Sequence, residues 1–207
     1  MIRVLLADDH ALVREGLRRL LEASTDIVVA AEAANGDEAL ALVRANDYDV
    51  AVLDMTMPGL AGIELIKRVK AEKPALRVLV LSMHDEQQYA ARALRAGASG
   101  YLTKDSAAAQ LVAAIRKIAA GGVHITEAAA ASLVAGVTGD GPPHTRLSDR
   151  EFQVFRLLAS GKSPTEIADE LHLSVKTVST HKARVMEKLG VSGTAQLVRY
   201  ALEHKLL

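Results

Sequence analysis

Short apolar runs alternate with longer amphipathic stretches over the first 120 residues of the chain. Ile2–Ala7, Ile27–Ala33, Val50–Leu53, Arg77–Leu81 and Ala98–Leu102 are brief and bounded by polar residues or Gly, which predicts five strands. Between and after them, Leu12–Glu22, Asp37–Ala45, Gly62–Glu72, Gln87–Ala96 and Ala107–Ala119 carry a helical period. In the first, Leu12, Val13, Gly16, Leu17, Leu20 and Leu21 are expected to share one apolar stripe. Five such β-α repeats predict an α/β fold: a five-stranded, doubly wound parallel sheet covered by helices on both faces. The pattern then stops. Gly136–Thr145 holds three Gly and two Pro without apolar period and reads as a linker. After it the period is helical only, over Asp149–Ser160, Pro164–Leu171, Val175–Leu189 and Ala195–Glu203. Ser148…Glu151 and Ser163…Glu166 have capping-box spacing. The expected division is therefore 1–120, a connecting segment with a helix over 121–145, and a small all-α four-helix domain over 146–207.

Composition narrows the classes. Half of the 207 residues are hydrophobic, aromatics are 3%, and Cys is absent. Disulfides, thiolate metal sites and cysteine nucleophiles are excluded, and a reducing compartment is favoured. The longest uncharged run, Ala128–Gly139, is 12 residues, short of the roughly 20 that span a bilayer. Met1-Ile2-Arg3 leads straight into a strand without signal-peptide segments, so a cytoplasmic protein without membrane contact is expected. Net charge is zero. From Thr145 onward ten basic and seven acidic residues leave +3; the fifteen basic and eighteen acidic residues before it leave −3. That asymmetry permits nucleic-acid binding by the C-terminal piece.

In a doubly wound sheet, chemistry gathers at the carboxyl ends of the strands. Those places hold Asp8-Asp9, Asp54, Ser82 and, after strand five, Lys104. A flavodoxin-like strand order 2-1-3-4-5 would bring all of them to one pocket. Three crowded carboxylates need a cation, and hard oxygen donors without His or Cys suit Mg²⁺. A carboxylate can act as a nucleophile toward phosphorus, with Mg²⁺ and a Lys offsetting phosphoryl charge. Each residue alone has a bland reading, as a cap, a turn residue or a solvated Lys. The coincidence at four strand ends raises the odds.

Leu6-Ala-Asp-Asp-His-Ala-Leu-Val-Arg-Glu-Gly-Leu17, Asp54-Met-Thr-Met-Pro-Gly59, Leu81-Ser-Met-His84 and Gly100-Tyr-Leu-Thr-Lys-Asp105 resemble the receiver domain of bacterial two-component response regulators of the NarL/FixJ type. The resemblance implies that Asp54 is the phosphoacceptor. It implies Mg²⁺ on Asp9, Asp54 and the backbone carbonyl of Thr56, with Asp8 contributing through water. Lys104 would contact the phosphoryl group, and Ser82 and Tyr101 would be the switch pair. A sensor histidine kinase would be the phosphoryl donor, and a helix face at Glu86–Ala96 or from Ala107 onward would respond.

Leu147-Ser-Asp-Arg-Glu151, Gly161-Lys-Ser-Pro-Thr-Glu-Ile-Ala168 and the run Leu173–Gly190 resemble the LuxR-type helix-turn-helix. Ile167, Ala168 and Leu171 are expected in the core from the first helix, and Val175, Val178, Val185 and Leu189 from the second. Lys176, Thr177, Lys182 and Arg184 are candidates for DNA phosphates; Ser179, Thr180 and Ala183 are candidates for base edges. In the last helix, Leu197, Val198, Ala201 and Leu202 read first as core. The resemblance implies that part of it pairs two such domains, giving a homodimer on inverted-repeat promoter sites, with RNA polymerase as a further candidate partner. Gly161-Lys-Ser163 lacks the earlier Gly and the preceding strand of a P-loop, and the seven His show no metal-ligand spacing. The expected protein is a DNA-binding response regulator and not an enzyme on other substrates. A Mg²⁺-dependent phosphohydrolase would need a second acid/base and a cap insertion. A constitutive DNA binder would have no use for the acidic set.

Overall fold

A computed structural model describes all residues except 84–86, 127–128, 132–141, 172, 205 and 207, and the side chains of 87 and 88. The chain divides into two compact units, Met1–Leu133 and Val134–Leu207.

The first unit is a five-stranded parallel sheet of β1 (Ile2–Ala7), β2 (Ile27–Ala33), β3 (Val50–Asp54), β4 (Arg77–Ser82) and β5 (Gly100–Thr103), in the order β2-β1-β3-β4-β5. The register sets Leu6 beside Val52, Val52 beside Leu79 and Leu79 beside Gly100. Alternation within each strand then sorts the core. Val4, Leu6, Val50, Val52, Leu79 and Leu81 pack under α1 (Ala11–Glu22) and α5 (Lys104–Ala119) through Leu17, Leu21, Leu111, Ile115 and Ile118. Leu5, Ala7, Ala51, Leu53, Val78 and Val80 pack on the other face. There they meet α2 (Gly36–Ala45), α3 (Gly62–Glu72) and α4 (Gln87–Arg95) through Leu40, Val43, Leu65, Ile66, Val69, Ala90 and Ala93. Both faces are dry, so the strands read as continuous apolar runs.

Three expectations need correction here. Leu12 does not join the α1 stripe; it is 87% exposed, and Gly16 is exposed too. Only Leu17 and Leu21 of that helix are buried outright, because a helix lying on a sheet covers a narrower arc than its apolar residues span. The fifth strand runs Gly100–Thr103 rather than Ala98–Leu102. The segment read as a connector from 121 does not begin as one. His124 bridges Gly100, with Tyr101 N donating to His124 O at 2.9 Å and His124 N to Ser99 O at 3.0 Å. Ile125 and Ala129 join the core under α3 and α4. This segment extends the sheet past β5, which a short, polar and Gly-bearing stretch does not advertise. A Cβ on Gly100 would stand 3.0 Å from His124 O and 2.8 Å from Leu79 Cδ1, so the close approach requires Gly there. The rest of the linker reading, at 132–141, lies outside the described residues.

The second unit shows, among the described residues, a 3₁₀ turn at Pro143–Arg146, which straddles the expected end of the connector. Its His144 is buried and bonds Tyr200 Oη through Nδ1 at 2.9 Å. Then come α6 (Asp149–Ala159), α7 (Pro164–Glu170), α8 (Val175–Leu189) and α9 (Thr194–Glu203). Both capping boxes form: Ser148 with Glu151 and Ser163 with Glu166 exchange side-chain and backbone hydrogen bonds. Ser174 caps α8, and Gly190 ends it at φ 67°, where a Cβ would be strained. The chain's two Phe, Phe152 and Phe155, centre this core with Leu158, Ile167, Val178, Val185, Leu197 and Ala201.

Candidate functional site

The sheet order places the carboxyl ends of β1, β3, β4 and β5 side by side. Asp54 is the last residue of β3 and pairs with Leu81; Ser82 ends β4 and pairs with Thr103. Asp8 follows β1. Lys104 opens α5, whose N-cap is the Thr103 hydroxyl. Asp8, Asp54 and Ser82 are buried almost completely. Tyr101 is buried as well, in the core under α3 and α4.

Lys104 Nζ lies 2.8 Å from Asp54 Oδ2 and 2.7 Å from Asp8 Oδ2, and its side chain is 8% exposed. The Asp54 contact is a hydrogen bond. Burial works against the ammonium, but its contacts with Asp54 and Asp8 outweigh that and hold Lys104 above the ordinary lysine range. The other oxygen of Asp54, Oδ1, accepts from the Thr56 amide and the Thr56 hydroxyl, both at 3.2 Å. Thr56 is thereby held against Asp54. The Asp8 carboxylate accepts the His10 amide at 2.8 Å through Oδ1, and Arg14 Nη1 donates to the Asp8 carbonyl at 2.6 Å. Glu32 Oε2 accepts from Arg14 Nε at 3.2 Å and steadies it.

Ligand atoms of Asp8, Asp9, His10 and Asp54 all lie within 4.8 Å of one another. Three carboxylates face one ammonium, which leaves surplus negative charge. Asp8 Oδ2 and Asp9 Oδ1 are buried and accept no hydrogen bond, although Lys104 Nζ stands beside the first. Surplus carboxylate charge and clustered oxygen donors together fit a divalent cation.

His10 and Arg14 are the residues that sequence reasoning passed over. The seven His show no metal-ligand spacing along the chain, whereas in the structure His10 Nδ1 stands beside the adjoining Asp8 and Asp9. That adjacency was the available signal.

In the second unit, Lys176, Ser179, Thr180, Ala183 and Arg184 are exposed along α8, while Thr177 and Lys182 are half-buried. The Thr177 hydroxyl lies 2.7 Å from the capping Ser174 Oγ, and the Thr180 hydroxyl donates to Lys176 O at 3.0 Å. Val178, Val185 and Leu189 are buried, but Val175 is 44% exposed. It is the first residue of α8 and does not belong to the core. Leu171 is only half-buried. On α9, Leu197 and Ala201 are core, Val198 is half-buried, and Leu202 is 62% exposed.

A buried carboxylate paired with Lys at the mouth of a 2-1-3-4-5 sheet, followed by a capped helix-turn-helix unit, defines a receiver coupled to a DNA-binding module. Comparison with known proteins bears this out. The response regulator receiver domain model matches residues 4–116, and the model for bacterial regulatory proteins of the luxR family matches 145–201. The chain belongs to the two-component response regulators of the NarL/FixJ type, DNA-binding regulators of transcription. It is 36% identical to response regulator UvrY of Escherichia coli K12, over all of this chain and 96% of UvrY. It is 40% identical to the probable transcriptional regulatory protein NarL of Mycobacterium tuberculosis H37Rv, over all of this chain and 96% of that protein. Among solved structures, Salmonella typhimurium RcsB is 31% identical with a TM-score of 0.78, covering 98% of each chain. RcsB of Salmonella enterica bound to the P1flhDC promoter with the phosphomimetic BeF₃⁻ is 31% identical at TM-score 0.73, covering 96% of this chain and 97% of that one.

Proposed function

We propose that Asp54 accepts a phosphoryl group from a sensor histidine kinase and that its occupancy controls DNA binding by α8. The observation that carries this is Lys104 Nζ bridging Asp54 and Asp8 at the sheet mouth. The Asp54 carboxylate attacks phosphorus. A new O–P bond forms, the P–N bond to the donor imidazole breaks, and the departing imidazole keeps the electron pair and takes a proton. Asp9, Asp54 and the Thr56 carbonyl, with Asp8 contributing through water, would hold Mg²⁺, which would offset charge on the transferring oxygens. Lys104 keeps its proton and moves with the phosphoryl group, leaving its present bond to Asp54 Oδ2. Ser82, one strand away, donates to a phosphoryl oxygen, and Tyr101 closes the space that Ser82 leaves. Because the transfer is to the protein itself, the chain is not an enzyme on other substrates.

On DNA, Lys176 and Arg184 reach phosphates most directly, with Lys182 and Thr177 contributing from half-buried positions. Ser179, Thr180 and Ala183 present hydroxyl and methyl groups to base edges. The exposed Leu202 and neighbouring Val198 supply an apolar strip for pairing two units on an inverted repeat. The structure of two RcsB dimers bound to two parallel DNAs, 32% identical at TM-score 0.61, supports a dimer. RNA polymerase is the partner through which such a bound dimer acts, and the cytoplasm is its place of action. No described helix is long and apolar enough to cross a membrane.

The test uses purified full-length protein with Mg²⁺ and acetyl phosphate or phosphoramidate. Wild type is expected to incorporate acid-labile phosphate and Asp54→Asn none. Incorporation by Asp54→Asn at the wild-type rate overturns the assignment.

A further inference from the structure

The outer strand of a sheet presents a row of backbone groups with no strand to pair with. β5 is such a strand, and the stretch that follows α5 lies along its outer edge. Tyr101 N donates to His124 O at 2.9 Å, and His124 N donates to Ser99 O at 3.0 Å. Gly100, between them, admits the approach: a Cβ there would stand 3.2 Å from His124 Cβ and 3.0 Å from His124 O. The same stretch is also fastened from one face of the sheet. Ala129 is 1% exposed and shares a core cluster with Tyr101, Ala90 and Ala93, and Ile125 packs against that cluster. Between the two, Thr126 turns the chain, its hydroxyl accepting from Ala129 N at 3.2 Å. Backbone bonds and apolar packing therefore meet at one residue of β5. Tyr101 gives the stretch a hydrogen bond through its amide and shares an apolar cluster with it through its ring. A short segment held by a few edge bonds and small apolar side chains opens more readily than the strands of the core.

We propose that Gly122–Thr126 and Ala129 form a latch on β5 that is closed while Tyr101 holds its present place and opens when Tyr101 turns toward Ser82. This rests on the reading of Ser82 and Tyr101 as the switch pair and extends it to the chain beyond α5. Turning the ring removes it from the cluster that seats Ile125 and Ala129, and it shifts the backbone amide that bonds His124. Opening the latch adds roughly eight residues to the tether leading to the second unit. At full extension that is about 25 Å of further reach. A signal at Asp54 then changes how far the DNA-binding unit can travel without any new bond to it. Such an effect is a shift between two populations, set by the difference in latch stability between the two positions of Tyr101.

The experiment is amide exchange by NMR on the ¹⁵N-labelled full chain with ¹³C-labelled tyrosine, in Mg²⁺ alone and in Mg²⁺ with BeF₃⁻ as the phosphoryl stand-in. The Tyr101 ring signals report the switch, and the Tyr101 and His124 amides report the latch. BeF₃⁻ is expected to move the ring signals and to speed exchange of both amides by about tenfold or more, while the amides of Leu79 and Val80 in β4 keep their rates. Coupling is reciprocal, so a latch held open favours the switched state. His124→Pro removes the N–H that reaches Ser99 O, and Ala129→Gln brings a side chain too large and polar for its buried place. Each variant should bind BeF₃⁻ more tightly than wild type by about fivefold or more. Ring signals that move while both amides keep their exchange rates overturn the latch and leave the switch standing. Bound BeF₃⁻ with the ring signals unmoved overturns both. Variants whose Tyr101 amide is already fast in Mg²⁺ alone, yet which bind BeF₃⁻ as wild type does, overturn the coupling. The wild-type comparison needs no variant, so misfolding of either one would not blunt it.

Discussion

Replacing Lys104 by Met tests the electrostatics of the pocket most directly. The ammonium stands 2.7 and 2.8 Å from two carboxylates that are fully buried. At an effective dielectric constant of 20, each attraction is worth about 6 kcal/mol. Desolvation of the three charges cancels much of that. Deleting one member of a buried ion cluster costs about 3–5 kcal/mol, chiefly because the others are left uncompensated. Met fills a similar volume, so the packing loss should stay below about 1.5 kcal/mol. In EDTA the first unit of Lys104→Met should therefore melt about 10 °C lower, taking roughly 3 °C per kcal/mol for a unit of this size. The same carboxylates are then unopposed and hold a cation more tightly. At a Mg²⁺ level tenfold above its Kd, binding adds about 1.4 kcal/mol. Mg²⁺ should accordingly raise the variant's transition more than the wild type's, and the gap should narrow. Calorimetry on the full chain with and without Mg²⁺ measures both effects. Melting within about 2 °C of wild type in EDTA would refute the argument. So would equal Mg²⁺ shifts in the two proteins.

Three other outcomes are expected. Glu151 is buried at the N-terminus of α6 with Oε2 2.6 Å from Lys188 Nζ. Burial raises its pKa, but Lys188 and Ser148 lower it further, to below the ordinary glutamate value of 4.5. A depressed carboxyl stabilises the fold above its unfolded value and loses that contribution as pH falls through the folded one. Lys188 is 39% exposed, so screening trims the pair to about 1–1.5 kcal/mol. Glu151→Gln should lower protection of the Val154–Leu158 amides roughly tenfold at pH 7, and the loss should shrink as pH falls through the lowered folded value; a loss that does not change with pH would show that the charge is idle. At Gly36, an added Cβ would fall 1.5 Å from Leu60 O. Gly36→Ala must therefore displace the loop that follows Asp54, costing about 1–3 kcal/mol and slowing phosphate incorporation; unchanged incorporation would mean that the loop moves freely. Lys176→Ala should weaken binding to all DNA sequences alike and flatten the salt slope by about one unit, whereas an altered base preference would reassign Lys176 to a base edge.

The sequence alone determined the architecture of both units and most of the site. Strands buried on two faces need unbroken apolar runs, helix starts need capping residues, and both leave marks in single stretches of chain. β1, β2, α3 and α8 fall on the expected residues, and Asp8, Asp9, Asp54, Ser82 and Lys104 stood out because strand ends are where a parallel sheet does chemistry. Only the tertiary structure decided matters that depend on which surface meets which. It put Leu12 and Val175 in solvent although both fit an apolar stripe, since period shows a face but not how much of it a neighbour covers. It laid His124 against β5, because adding to a sheet edge uses backbone groups that every residue has, and it brought Ile125 and Ala129 into the core. And it turned the imidazole of His10 toward Asp8 and Asp9, an orientation set by side-chain torsion and surrounding charge that no spacing rule along the chain encodes.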